Sequence, residues 1–474
     1  MLISAFASLA LAAFQGSTGP ELTVYNQGFA LVKELRQLTL KQGRQGVNIE
    51  DVASSIDPTS VGIRSIEPGN AFEILEQNYQ YDLISPQAIL NKSVGKRVRF
   101  IRSFGNGQKE TVEGVLLSSP SAMVPSQFGG QQFSFNGMVI RTNDGRIILD
   151  PMGEVEVMSI PEGLISKPTL QWEIIAPKAG PNAVELSYVT NGMSWNADYV
   201  LTLDGLGHAG LQGWVTMNNN SGATYKDATL KLLAGDVNMT GGAPAAPAMM
   251  KAEARGGAGG KGFQEESLFE YHLYTLQRPA TIKNKEIKQL SLLEGQDLTV
   301  TKKLTIDSMY GYSEYYPSEG EVGTGNIKPL VTIEFKNSKD NHMGMPLPQG
   351  RFRVYQRDKS GSVQMLGEDR IVHTPKDEII KLNVGRSFDI VADRKRMNFR
   401  RLAPNSFEET FQIEVRNRKD VSDKVYVMER HWGDWKITST SMPFEKLSAN
   451  TQQYVVDLQA GETKKITYTV QTKW

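Results

Sequence analysis

The sequence predicts an all-β chain built of antiparallel strands in several units. Three observations carry this. Apolar and polar residues alternate at period two, as in Val184-Glu-Leu-Ser-Tyr-Val189, the pattern of a strand with one face buried. Clusters of Gly, Asn, Asp and Pro punctuate these runs at short intervals, as turns do. Long amphipathic helical segments are absent throughout.

Residues 21–78 read as the first part of an N-terminal β domain. Leu22-Thr-Val-Tyr25 and Ala30-Leu-Val-Lys-Glu-Leu35 flank the turn Asn26-Gln-Gly28, and Lys41-Gln-Gly43-Arg-Gln-Gly46 separates Leu38–Leu40 from Val47–Ile49. Residues 82–160 change character. Ser85-Pro86 places proline in the first turn of a short helix, where its missing N–H costs nothing. About five short strands follow, with Asn143-Asp-Gly145 as a tight turn. One short helix and five strands in so few residues suit a small SH3-like or Sm-like barrel inserted in the chain, with 118–132 as a long connecting loop.

Residues 161–400 read as a central β-sandwich region. Tyr199–Leu203 and Leu211–Met217 alternate cleanly, but 238–265 breaks the pattern, since sixteen of its 28 residues are Gly, Ala or Pro. Such a stretch buries too little apolar surface to offset its ordering entropy, so a disordered loop is expected there. Residues 401–474 carry strands with the length and spacing of an Ig-like sandwich, with Ala460-Gly-Glu462 as a hairpin turn.

Composition excludes several classes. The 474 residues hold 52 basic and 52 acidic side chains and no cysteine. Disulfide scaffolds, thiol nucleophiles and cysteine-based metal or iron–sulfur sites are therefore ruled out. The balanced charge removes the basicity that general nucleic-acid binding requires. Met1–Phe14 contains no charged residue; it is too short to span a bilayer and has the length of a signal-peptide apolar region. With Ala10-Leu-Ala12 as a small-x-small cleavage pattern, residues 1–14 read as a signal peptide, although no Lys or Arg precedes the run. A periplasmic or extracellular protein without a transmembrane span is expected.

Several phrases resemble one bacterial family. They are Val24-Tyr-Asn-Gln-Gly28 with Leu31-Val-Lys33, Pro161-Glu-Gly163 with Gln171-Trp172, Ser194-Trp-Asn-Ala-Asp-Tyr199, and Gly213-Trp-Val-Thr216 with Leu233-Ala-Gly-Asp236. Trp432-Gly-Asp-Trp435 and the closing Trp474 complete the set. Together they resemble the domain-of-unknown-function 4139 family, whose longer members are mucoidy-inhibitor-like proteins with a coiled-coil N-terminal region that this chain lacks. The resemblance implies an exported all-β protein and supplies no activity.

Catalytic and cofactor motifs are incomplete. Gly257-Ala-Gly-Gly-Lys-Gly262 matches the dinucleotide fingerprint in letters but lacks the strand–turn–helix setting that brings a helix N-terminus to a pyrophosphate. His208, His272, His342, His373 and His431 are too far apart for a local metal motif. A G-x-S-x-G nucleophile elbow is absent. No cofactor and no metal ligands are expected.

Two local features remain as candidate binding residues. Arg394-Lys395-Arg396 with Arg400-Arg401 concentrates five cations within eight residues, enough to hold an anionic glycan, a lipid headgroup or phosphate unless the run is a solvated strand face. In His431-Trp432-Gly-Asp-Trp435, a two-residue Gly-Asp turn would set the indoles opposite one another on one face, with His431 on the other. Paired indoles stack on sugar rings or pack into a core.

The resulting expectation is an exported, non-catalytic interaction or structural protein of the cell envelope, with an envelope protein or an anionic glycan as partner. A carbohydrate-active or other hydrolytic enzyme on a β scaffold is the alternative, and a ligand-binding transport or sensing component the second. The sequence sets no oligomeric state.

Overall fold

Alternating strands with one apolar face must pair and stack, and among the described residues they do so in seven sheets. The computed structural model describes residues 19–103, 108–118, 121–125, 131–135, 137–149, 154–238, 262–310 and 322–474. The chain is almost all strand, as the alternation predicts. Residues 1–14 and most of the glycine-rich run fall outside the described residues.

The first sandwich faces an eight-stranded sheet with a five-stranded one. In the eight-stranded sheet, Glu21–Tyr25 pairs parallel with Tyr225–Ala234 and antiparallel with Phe29–Leu40, which pairs along its length with Gly180–Asn191. The five-stranded sheet runs in the order Glu286–Thr299, His208–Asn219, Met193–Leu203, Gly350–Arg357 and Val363–Ile371. Met193–Leu203 and Gly350–Arg357 are parallel although some 150 residues separate them. Their inward positions, Trp195, Ala197, Tyr199 and Leu201 with Phe352 and Val354, lie in one core with Leu22, Val32, Leu186 and Tyr188 of the facing sheet. A three-stranded sheet of Gly43–Glu50, Thr169–Ala176 and Glu73–Gln80 extends that core through Trp172, whose Nε1 donates to Gln77 Oε1 at 2.9 Å.

The described residues of 82–160 hold one short helix, a five-stranded sheet and a separate two-stranded hairpin. Ser85 caps the helix Pro86–Asn91 by accepting from the Ala88 N–H at 3.1 Å. Five short strands then make one sheet around a separate small core of Val98, Phe100, Leu116 and Ile140. The loop expected over 118–132 is not continuous loop: Ser121–Pro125 pairs antiparallel with Gln131–Phe135. Its two prolines and two glycines suggest irregular chain, yet Pro125 ends its strand, where a missing N–H is tolerated.

The second sandwich packs a six-stranded sheet on a five-stranded one around Leu304, Ile306, Ile390, Ile413, Val425, Tyr454 and Tyr468. Residue 401 is no boundary, because it lies in the hairpin of Ile390–Ala403 with Ser406–Asn417. Phe263–Leu268 is likewise a strand, paired with Tyr271–Leu276, so the expected loop over 238–265 does not reach its predicted end. Two expected hairpins are absent. Asp423–Arg430 and Asp434–Thr440 lie in different sheets, and so do Thr451–Leu458 and Thr463–Lys473. The Gly-Asp and Ala-Gly-Glu turns therefore arch across the sandwich. Turn chemistry reverses the chain in either case, and burial on the two inner faces decides which.

Candidate functional site

The cations of 394–401 point in different directions because the strand alternates and its register shifts between Arg396 and Asn398. Arg394 is 2% exposed and Arg396 is half-buried, while Lys395, Arg400 and Arg401 are exposed. Arg394 Nη2 and Nε donate to Glu429 Oε2 at 2.8 and 3.0 Å, and its guanidinium lies 3.7 Å from the Phe411 ring centroid. Tyr468 also donates to Glu429. Arg396 pairs with Glu409 at 3.1 Å and Arg400 with Glu408 at 2.7 Å. The run is thus dispersed, and three of its five cations are matched by carboxylates.

The Trp432–Trp435 turn is also built differently from expectation. Because the flanking strands belong to opposite sheets, the indoles are not a cross-strand pair, and His431 shares a face with Trp435, ring centroids 4.5 Å apart. Trp435 Nε1 donates to the Ala449 carbonyl at 2.8 Å. His431 and Trp432 line a cavity of about 10 Å³ with Met309, Arg394, Glu409 and Arg430, room for about one water. His431 Nε2 is buried there without a partner among the described residues. Burial, and then the Arg394 guanidinium, push the His431 pKa down to about 3, so this ring is neutral.

A ligand-sized opening lies elsewhere, on the outer face of the five-stranded sheet of the first sandwich. There an open groove of about 490 Å³ is lined by Asn196, Asp198, Thr216, Gln349, Gly350, Arg351 and Arg370, within the size range of small-ligand sites. Its origin is the same alternation that builds the core. Trp195, Ala197 and Tyr199 point inward, so Asn196 and Asp198 must point outward. On the neighbouring strand Trp214 and Thr216 do the same between buried Gly213, Val215 and Met217.

Register brings these side chains into one row. Trp214 faces Asp198, Asp198 faces Arg351 and Arg351 faces Arg370 across successive strands. A chain of hydrogen bonds fixes the middle of the row. Gln289 Nε2 donates to Thr216 Oγ1 at 3.3 Å, Thr216 Oγ1 donates to Asp198 Oδ2 at 2.8 Å, and Arg351 Nη2 donates to Asp198 Oδ1 at 3.1 Å. Trp214 retains 36% exposure on this polar face.

The lip of the groove is held from behind. The hydroxyl of Tyr199 donates to the Pro348 carbonyl at 2.8 Å and that of Tyr274 to the Pro346 carbonyl at 2.9 Å. The Gln349 N–H donates to His373 Nδ1 at 3.1 Å. Nδ1 therefore carries no proton, and Nε2 of the neutral ring carries it instead. Asn26 Nδ2 lies 3.3 Å from Nε2 while Asn26 Oδ1 is buried without a partner; turning the amide over would present that oxygen as the acceptor for the Nε2 proton. Gly350 is required by packing: a Cβ there would come within 2.3 Å of the Ala197 carbonyl oxygen.

Sequence reasoning missed this groove. The signal available was Trp214, an aromatic at an outward position of an alternating strand, in register with a carboxylate. Arg351 and Arg370 had no local signal, since their place depends on strand pairing far along the chain.

Among the described residues no group of three or more His, Asp or Glu is placed to hold a metal ion, and no helix is long and apolar enough to cross a membrane. No family model and no curated protein matches the chain.

Proposed function

We propose that the chain is an exported, non-catalytic interaction protein of the cell envelope that holds a polar ligand along the groove. The observation that carries this reading is the preset hydrogen-bond chain from Gln289 through Thr216 and Asp198 to Arg351 on the floor of an open, ligand-sized groove. Groups already held in place lose little freedom when a ligand arrives, which favours binding. The chemistry of the lining points away from hydrolysis. Asp198 is the one carboxylate among the lining residues and is committed to Arg351 and Thr216, whereas glycoside hydrolysis uses two carboxyl groups facing the scissile bond. Export rests on the apolar Met1–Phe14 stretch, and the resemblance to the domain-of-unknown-function 4139 family agrees with it.

The test is a titration of the purified chain against a panel of neutral and charged oligosaccharides and peptides, repeated with Asp198→Ala and Arg351→Ala together. Binding by the native chain, lost in the double variant while its thermal melt stays cooperative, supports the reading. Failure of every panel member, or binding that survives the double variant, overturns it. Turnover of a bound oligosaccharide would replace the non-catalytic reading with the hydrolytic one.

A further inference from the structure

Arg351 and Arg370 are directly opposite one another in an antiparallel pair, and both line the groove. Like charges in that position repel, so each needs a counter-charge. Arg351 has two, Asp198 at 3.1 Å and Glu368 at 3.7 Å, the second shared with Arg353 at 3.2 Å. Arg370 is exposed and has no carboxylate partner among the described residues. Its neighbour Asp369 does not serve, because its side chain accepts from the backbone N–H groups of Asn383 and of Arg370 itself. An unmatched guanidinium thus stands at one end of a row whose other end is an exposed indole.

We propose that the groove binds an acidic saccharide, the carboxylate of one sugar ring being held by Arg370 beside Arg351 and the face of another ring resting on Trp214. This rests on the reading of the groove as a binding site and names the class of ligand. A guanidinium offers two parallel N–H groups that match a carboxylate, and the anion relieves the repulsion between the two arginines. The remaining lining is suited to hydroxyl groups. Asn196 and Gln349 both donate and accept, and Asp198 accepts. The Asp198 charge also disfavours a densely anionic ligand such as a polyphosphate. Trp214 and Arg370 are three strand spacings apart, roughly 14 Å, the reach of a short oligosaccharide.

The experiment compares tri-galacturonic acid with its methyl ester, the same rings without the charges, by calorimetric titration of the full chain. The acid is expected to bind at least tenfold more tightly than the ester, with affinity falling as salt is raised. Arg370→Gln should abolish that preference, and in the absence of ligand it should melt no lower than the native chain. Trp214→Ala should weaken acid and ester alike. Equal binding of acid and ester, or an Arg370→Gln variant that keeps the preference, overturns the proposal. If a neutral sugar or an acidic peptide binds instead and is lost in the Asp198→Ala, Arg351→Ala variant, the acidic saccharide is wrong and the groove stands. If nothing binds, both fall.

Discussion

Arg394 and Glu429 form an ion pair whose side chains are 3% and 1% exposed, inside the second sandwich. It is offset by hydrogen bonds on both sides, from Tyr468 to the carboxylate and from the guanidinium to the Tyr468 hydroxyl at 3.2 Å. Removing one member leaves a buried charge without its partner, which costs far more than the intact pair contributes. Glu429→Ala is expected to lose about 3–5 kcal/mol of stability, read as a lower urea midpoint. The double variant Arg394→Met, Glu429→Leu should recover most of that loss. A double variant no more stable than Glu429→Ala would show that the pair does something a hydrophobic filling does not replace.

His431 makes the same sandwich sensitive to acid. Its pKa of about 3 in the folded chain lies below the ordinary value near 6.5. Between those limits the unfolded chain takes up a proton that the folded chain refuses, so stability falls as pH falls. The contribution is fully present above about pH 6.5, and about 2 kcal/mol of it is gone at about pH 5. His431→Phe, which keeps a ring against Trp435, should flatten the dependence of the unfolding free energy on pH between about 6.5 and 4. An unchanged slope would assign the acid sensitivity to other groups.

Tyr199 connects core to groove. Its ring stacks on Phe352 with centroids 4.5 Å apart, and its hydroxyl holds the Pro348 carbonyl. Tyr199→Phe keeps the packing and leaves that carbonyl unsatisfied, at a cost of about 1–3 kcal/mol. Because Pro348 leads into Gln349 and Gly350, ligand affinity should fall together with stability. Loss of stability at unchanged affinity would mean that the lip is positioned by other contacts.

Gly350 predicts a steric failure. A methyl group 2.3 Å from the Ala197 carbonyl oxygen cannot be accommodated by rotating a side chain, since the obstacle is backbone. Gly350→Ala should therefore push the parallel strands Met193–Leu203 and Gly350–Arg357 apart. The expected readouts are a lower melting temperature and faster amide exchange at both strands; native-like exchange would contradict this packing.

Much of the fold was legible because strand chemistry is local. Period two in Val184–Val189 and Leu211–Met217 marked strands and their buried faces, and Ser85-Pro86 marked the short helix before the small five-stranded sheet. The hairpins expected at Trp432–Trp435 and Ala460–Glu462 were misread because a turn sequence encodes reversal without naming the sheet the chain returns to. The cationic run at 394–401 was misread as concentrated because alternation sends Arg394 inward to Glu429 and Lys395 outward, and a register shift between Arg396 and Asn398 then turns Arg400 outward to Glu408.

The sequence by itself determined most of the strands and the apolar face of each alternating one, since both depend on neighbours a few residues away. Tertiary structure alone decided which strands are adjacent. Asp198 meets Arg351 across 153 positions and Arg394 meets Glu429 in the facing sheet. Pairing partners and register are chosen by the joint burial of many apolar faces, which no short stretch of chain encodes. For that reason the core was readable from the pattern, while the groove, made of the outward residues of strands brought together by that burial, was not.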